Sequence, residues 1–212
     1  IGSKVSYFAR PLYVNGMIIV ATNDGCLTAF SATTMECIWK TAPLDTTNTL
    51  QSVSSMTVNN GTIVAEFTKM SGFDAAGGYM VAVDATSGAL RWKKEAQPAS
   101  ISGAISGQPS GYYWSGAAAS GSDFVIGDES SSVRLINGST GAIEAELNLG
   151  SPIRAGIVPV SVDQSGNGTY LAVTRNDGTL HLIRRNGSSL VEEKKVKFAA
   201  ESTSTPTISG SN

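Results

Sequence analysis

Apolar residues recur along this chain in short runs, separated by clusters of glycine, asparagine, aspartate and serine. The clearest run is Tyr79 to Val83. Tyr79, Val81 and Val83 alternate with Met80 and Ala82, so both faces of an extended segment are apolar. That pattern predicts a strand buried on both sides rather than one with a wet face. Asp84-Ala85-Thr86-Ser87-Gly88 follows. An aspartate can accept from nearby backbone amides and a glycine can take positive φ, so the chain reverses here. Leu90, Arg91 and Trp92 begin the return strand, and Lys93, Lys94 and Glu95 lead out to solvent. The stretch 79–95 is a β-hairpin.

The same hairpin recurs. Gly25 leads into a run ending at Trp39, and Gly78 into one ending at Trp92, each over 14 residues. The step from Gly25 to Gly78 is 53 residues, another 53 reaches Ser131, and a further 47 reaches Gly178. After Ser131, Asn137 stands where Asp84 stood, Thr140 and Gly141 replace Ser87 and Gly88, and Ala145 replaces Trp92. Four copies make this a repeat architecture, which outranks any single motif.

Taken in order, 4–13 predicts a first strand and Asn15-Gly16 a tight turn. Residues 17–21 predict a second strand, and the repeated hairpin supplies the third and fourth. A polar connector over 41–51 leads to a second unit with strands over 54–58 and 62–68. The segment 69–77 is longer than its counterpart in the first unit and reads as a loop inserted on one rim, where repeat proteins often carry function. The third unit uses 115–120 and 123–128, and the fourth 156–162 and 169–175. Blades are thus expected over about 4–41, 52–96, 112–149 and 154–197, with 198–212 beginning a further one. Repeats of this size with four short strands each predict a β-propeller, in which every sheet hides both faces against its neighbours. An immunoglobulin-like sandwich would need no internal copying.

These hairpins resemble the repeat of the quinoprotein-dehydrogenase-like (PQQ-repeat) β-propellers. That repeat carries Ala, one residue, Asp, then Thr-Gly, and a Trp four residues after the Gly. Ala82, Asp84, Ser87, Gly88 and Trp92 fit it, with Ser for Thr. Ala29, Thr34 and Trp39 fit it in the first unit, with Ser31 for Asp and Met35 for Gly. Asn137, Thr140 and Gly141 fit it in the third without the Trp, and the fourth keeps only the Gly178 turn and the strand pattern. The resemblance implies that Trp39 and Trp92 dock between adjacent blades on a neighbour's turn, with Ala82, Asp84, Gly88 and Gly141 shaping the dock. It also implies a ring of seven or eight blades, so these four, and a chain that does not begin with Met, are expected to be a piece completed by remaining blades or by a second copy. Enzymes of that family bind pyrroloquinoline quinone with Ca²⁺ and typically bridge adjacent cysteines. Cys26 and Cys37 are not adjacent, so the resemblance points to the fold rather than the redox chemistry, and no cofactor is expected.

Composition narrows the picture. Charged residues are 15%, well under the average for a soluble domain, and the net charge is -2, which gives neither a nucleic-acid surface nor a steering field. No apolar run approaches a bilayer span. The low-charge, hydroxyl-rich surface is common in extracellular proteins; with the resemblance it implies a secreted, cell-surface or envelope setting in a bacterium. In the hairpin register Phe30 faces Cys37, which leaves Cys26 too far away for a bridge; both thiols are expected to be small buried residues.

Candidate chemistry is sparse. His181 is a lone strand histidine without the partner pattern of a metal site. Residues 163–168 resemble the first half of an oxygen-ligand Ca²⁺ loop, but Thr174 stands where the closing Glu is needed, so a plain turn is the better reading. Asn60, Asn137, Asn167 and Asn186 head Asn-Gly-Ser/Thr triplets that serve as turns before they serve as glycosylation acceptors. Phe73, Tyr112, Tyr113 and Trp114 lie outside the repeated core positions and are the candidates for contact with a protein or carbohydrate partner. The function expected is that of a non-catalytic scaffold or binding module. The alternatives are a fragment of a quinoprotein dehydrogenase with its PQQ and Ca²⁺ site in missing blades, and a bacterial envelope assembly factor.

Overall fold

A computed structural model describes residues 9–44, 51–71, 74–96, 111–112 and 114–209. Among these it holds seventeen strands and no helix, in four antiparallel sheets. Blade 1 comprises β1 (Leu12–Val14), β2 (Met17–Ala21), β3 (Leu27–Ser31) and β4 (Cys37–Lys40). Blade 2 comprises β5 (Gln51–Val53), β6 (Thr57–Asn59), β7 (Thr62–Ser71), β8 (Asp74–Asp84) and β9 (Leu90–Glu95). Blade 3 comprises β10 (Ala118–Ser120), β11 (Asp123–Gly127), β12 (Ser132–Ile136) and β13 (Ile143–Asn148). Blade 4 comprises β14 (Val158–Val162), β15 (Gly168–Thr174), β16 (Thr179–Asn186) and β17 (Ser189–Lys197).

The two-sided apolar pattern is explained by how the sheets stack. In blade 2, Ile63, Ala65 and Phe67 of β7 and Tyr79, Val81 and Val83 of β8 pack with Ile19, Leu27 and Ala29 of blade 1. The intervening residues Val64, Met80 and Ala82 pack with Phe124, Ile126 and Ile136 of blade 3. Blade 3 turns Val125, Val133 and Leu135 toward Tyr170, Ala172 and Ile183 of blade 4. Side chains alternate across a strand, so each middle sheet feeds two cores at once. Strands β6, β10 and β14 stand side by side, as do β13 and β17.

Every blade carries a β-bulge at the same place. The register between the third and fourth strands slips at Ala29/Phe30, Ala82/Val83, Leu135/Ile136 and Leu182/Ile183. Those steps repeat the spacing of Gly25, Gly78, Ser131 and Gly178. A bulge sharpens strand twist and re-aims the side chains beyond it.

Several expectations are corrected. The described residues of 69–77 are strand rather than loop: β7 runs on to Ser71 and β8 begins at Asp74, pairing Met70 with Ala75 and Ser71 with Asp74, so the insertion lengthens a hairpin. The connector before blade 2 ends in a strand, β5, which pairs along the upper part of β7 where β6 stops. The first strand of blade 2 is Thr57–Asn59 and that of blade 1 starts at Leu12. Residues 199–209 form no strand. Phe30 does face Cys37, but Cys37 is exposed because the fourth strand lies at the outer edge; Cys26 is buried.

Candidate functional site

The turn between third and fourth strands is built the same way in three blades. A side-chain oxygen at its first residue accepts two backbone amides: Ser31 Oγ from Thr33 and Thr34 (3.2 and 3.1 Å), Asp84 Oδ1 from Thr86 and Ser87 (2.9 and 3.0 Å), Asn137 Oδ1 from Ser139 and Thr140 (both 3.0 Å). These donors, the Thr86 hydroxyl foremost, and Arg91 at 2.8 Å hold the Asp84 carboxyl well below the usual carboxylate range. Four residues on, the chain adopts positive φ: Met35 at 60°, Gly88 at 70°, Gly141 at 69°.

The preceding blade's indole sits on that turn. A Cβ at Gly88 would lie 2.5 Å from Cε3 of Trp39, and one at Gly141 would lie 2.7 Å from Cε3 of Trp92. Trp92 Nε1 donates to the Gly138 carbonyl at 2.9 Å. Trp39 Nε1 has no hydrogen-bond partner among the described residues. Ala82 is fully buried and faces Trp92 across the sheet, as Ala29 faces Trp39. A larger residue at either alanine would push the indole off its seat.

The third junction uses a cation instead. Ala145 replaces the tryptophan, and Arg185 of blade 4 reaches back. It donates to the Ser120 carbonyl at 2.8 Å, the Ser120 hydroxyl at 2.6 Å and Asp123 Oδ2 at 2.7 Å. Asp123 Oδ1 accepts from the Gly138 amide at 3.2 Å, the same residue whose carbonyl takes the Trp92 proton. A hydrogen-bonded chain thus runs from blade 2 to blade 4. Within blade 3, Arg134 is buried against Asp128 at 3.0 Å and within 3.5 Å of Glu146. Glu66 of β7 is 1% exposed and binds the Ser54 hydroxyl; burial pushes its carboxyl up to about 8.

The segments that lead into the first strands of all four blades converge on one mouth. Two adjoining clefts open there, of about 450 and 460 Å³, sharing Trp114 and Arg154. Arg10 precedes β1, Ser55 precedes β6, Trp114 precedes β10 and Arg154 precedes β14; Arg175 and residues 201–205 complete the walls. Arg154 is held by Glu129 through a bidentate pair, Nε to Oε1 at 2.7 Å and Nη2 to Oε2 at 2.9 Å, and its guanidinium lies 5.8 Å from the Trp114 ring centroid. Burial at 2.7–2.9 Å with two parallel bonds is the strong form of this pairing.

Of the four contact candidates, Trp114 lies in this mouth. Tyr112 does not offer its ring to solvent: it is 3% exposed, packed between blades 2 and 3. Phe73 and Tyr113 lie outside the described residues. His181 is buried between Thr174 (3.0 Å) and Glu192 (2.5 Å). Asp163 caps its own turn, accepting from the amides of Ser165 and Asn167 at 2.8 and 2.9 Å. Arg154, Arg175 and Arg185 escaped notice in the sequence because each lies outside the hairpin repeat or in its most divergent copy. Among the described residues no three His, Cys, Asp or Glu side chains converge to hold a metal ion. Among the described residues no helix is long and apolar enough to cross a membrane.

Bulged four-stranded sheets stacked face to face, with an indole of one seated on a turn of the next, define a β-propeller segment of quinoprotein-like repeats. The chain belongs to the family described as outer membrane protein assembly factor BamB, whose profile matches residues 3–191. A search of curated proteins returns no match. Among solved structures, BamB from Moraxella catarrhalis aligns with a TM-score of 0.64 at 16% identity, over 99% of this chain and 55% of its own. The quinohemoprotein alcohol dehydrogenase ADHIIG from Pseudomonas putida HK5 aligns at 0.67 and 17%, over 88% and 34%. A europium-containing methanol dehydrogenase aligns at 0.63 and 14%, over 89% and 41%. The chain therefore spans about half, or less, of the length of these relatives, and at such identity they share its fold.

Proposed function

We propose that this chain is a non-catalytic protein-binding scaffold of the bacterial cell envelope, working in outer-membrane protein assembly. The family match over residues 3–191 carries this reading. The geometry supports it. The repeated residues are spent on holding blade to blade, while what varies between blades is the lengthened β7–β8 hairpin and the mouth around Trp114, surfaces that suit a partner rather than a reaction. The blades expected over 4–41, 52–96, 112–149 and 154–197 would continue in a longer ring.

Affinity capture of the full-length protein from detergent-solubilised envelopes tests the reading. Co-purification of an outer-membrane assembly component in a fixed ratio is expected, and a protein that elutes alone would contradict it. The likeness to two quinoprotein dehydrogenases favours a second reading, a fragment of such an enzyme. Dye reduction by the full-length protein supplied with pyrroloquinoline quinone, Ca²⁺ and an alcohol would establish that one instead.

A further inference from the structure

The mouth formed by the four blade leads has a chemistry of its own. Three arginines, Arg10, Arg154 and Arg175, line it against one carboxylate, Glu201, in a chain whose net charge is -2. Arg154 is fixed by Glu129 with its guanidinium turned to Trp114. Among the described residues, neither Arg10 nor Arg175 forms an ion pair. Guanidiniums around an aromatic ring favour carboxylates, which they bind in bidentate fashion, with the aromatic ring offering a face to the side chain between them.

The mouth also shows that it accepts polypeptide. The chain's own segment 202–205 runs along one wall without forming a strand. The Ser202 amide donates to the Arg175 carbonyl at 2.8 Å, and the Gly156 amide donates to Thr205 Oγ1 at 2.9 Å. Backbone bonds from such a wall, with adjoining space of about 450 Å³ in each cleft, fit a second extended segment better than a compact solute.

We propose that this mouth binds an extended acidic segment of a partner protein, its carboxylates on Arg10, Arg154 and Arg175 and an apolar side chain on Trp114. This rests on the scaffold reading above. The probe is a short blocked peptide of alternating glutamate and leucine, with its lysine counterpart, glutarate and inorganic phosphate as comparisons. Binding to the full-length protein is followed by calorimetry and by Trp114 emission, Trp39 and Trp92 being buried. Saturable binding of the acidic peptide at physiological salt is expected. Arg175→Gln, which breaks no ion pair, and Trp114→Phe should each weaken it about tenfold or more. Arg154→Gln is read beside its thermal melt, since it also releases Glu129. Equal binding of the lysine peptide, glutarate or phosphate as tight as the peptide, or variants that bind like the parent would each overturn the proposal. Envelope capture separates the two readings. If Arg175→Gln still captures the partner, the mouth is wrong and the scaffold stands. If the peptide binds through these residues while the parent protein captures nothing, the mouth stands and the scaffold reading fails.

Discussion

At the scale of single residues, the decisive feature is a backbone that turns left-handed under an indole. Gly141 must be glycine twice over: φ is 69°, and a Cβ would meet Trp92 at 2.7 Å. Gly141→Ala should cost about 2–4 kcal/mol, the left-handed penalty plus the overpacking, measured by urea unfolding. Trp92→Ala should cost about 3–5 kcal/mol, because it empties a buried seat and strands the Gly138 carbonyl. Met35 tests the same geometry from the other side. It holds φ 60° where the next two blades have glycine, and it is exposed, so only the strain is at stake. Met35→Gly should raise stability by about 0.5–1 kcal/mol, the relieved strain less the entropy that glycine adds to the unfolded chain. Glu66 gives a pH signature. Its folded carboxyl titrates at about 8 because burial opposes ionisation. The folded state then keeps a proton that the unfolded chain releases near the ordinary glutamate range. Its contribution is whole below about pH 4.5 and is lost as pH rises to about 8. Urea midpoints should fall across that window, and Glu66→Gln should flatten the fall.

At the scale of elements, what could be read from the sequence was what repeats. The hairpin, its capped turn and the step of 53 residues follow from residue types at fixed spacing: Ser31, Asp84 and Asn137 cap alike because each offers an oxygen two residues before a free amide. The bulge was not legible, since an extra residue in the outer strand leaves no mark in composition. Nor was the true form of 69–77, because glycines and polar residues read as a loop until a partner strand is present to pair with them. The third junction was invisible for a related reason. The repeat offers no tryptophan at Ala145 to mark the junction, and Arg185 and Asp123 make it instead as a buried, bonded pair. Removing one partner of such a pair leaves a buried charge, so Arg185→Met should cost about 3–5 kcal/mol. Unfolding of an Arg185→Met variant that matched the parent would show the bond to be dispensable.

At the scale of the whole molecule, the two-sided apolar strands are explained only by stacking: β7 and β8 supply alternate residues to two separate cores. The candidate site was legible only in part. Trp114 stood out as an aromatic outside the repeat, but Tyr112 shared that mark and is buried, because sequence position does not say which of two neighbours faces a blade and which faces a cleft. The three arginines of the mouth come from the lead of blade 1, the lead of blade 4 and the turn after β15, and meet only once the sheets are arranged side by side. That arrangement, the first two junctions seated through an indole and the third through Arg185, is the claim on which the function and the mouth both depend. Acrylamide quenching of a Trp114→Phe protein tests it most directly. Emission from Trp39 and Trp92 that is blue-shifted and barely quenched in the folded state, becoming fully quenchable in urea, is the predicted result; red-shifted emission quenched like free indole in the folded protein would contradict it.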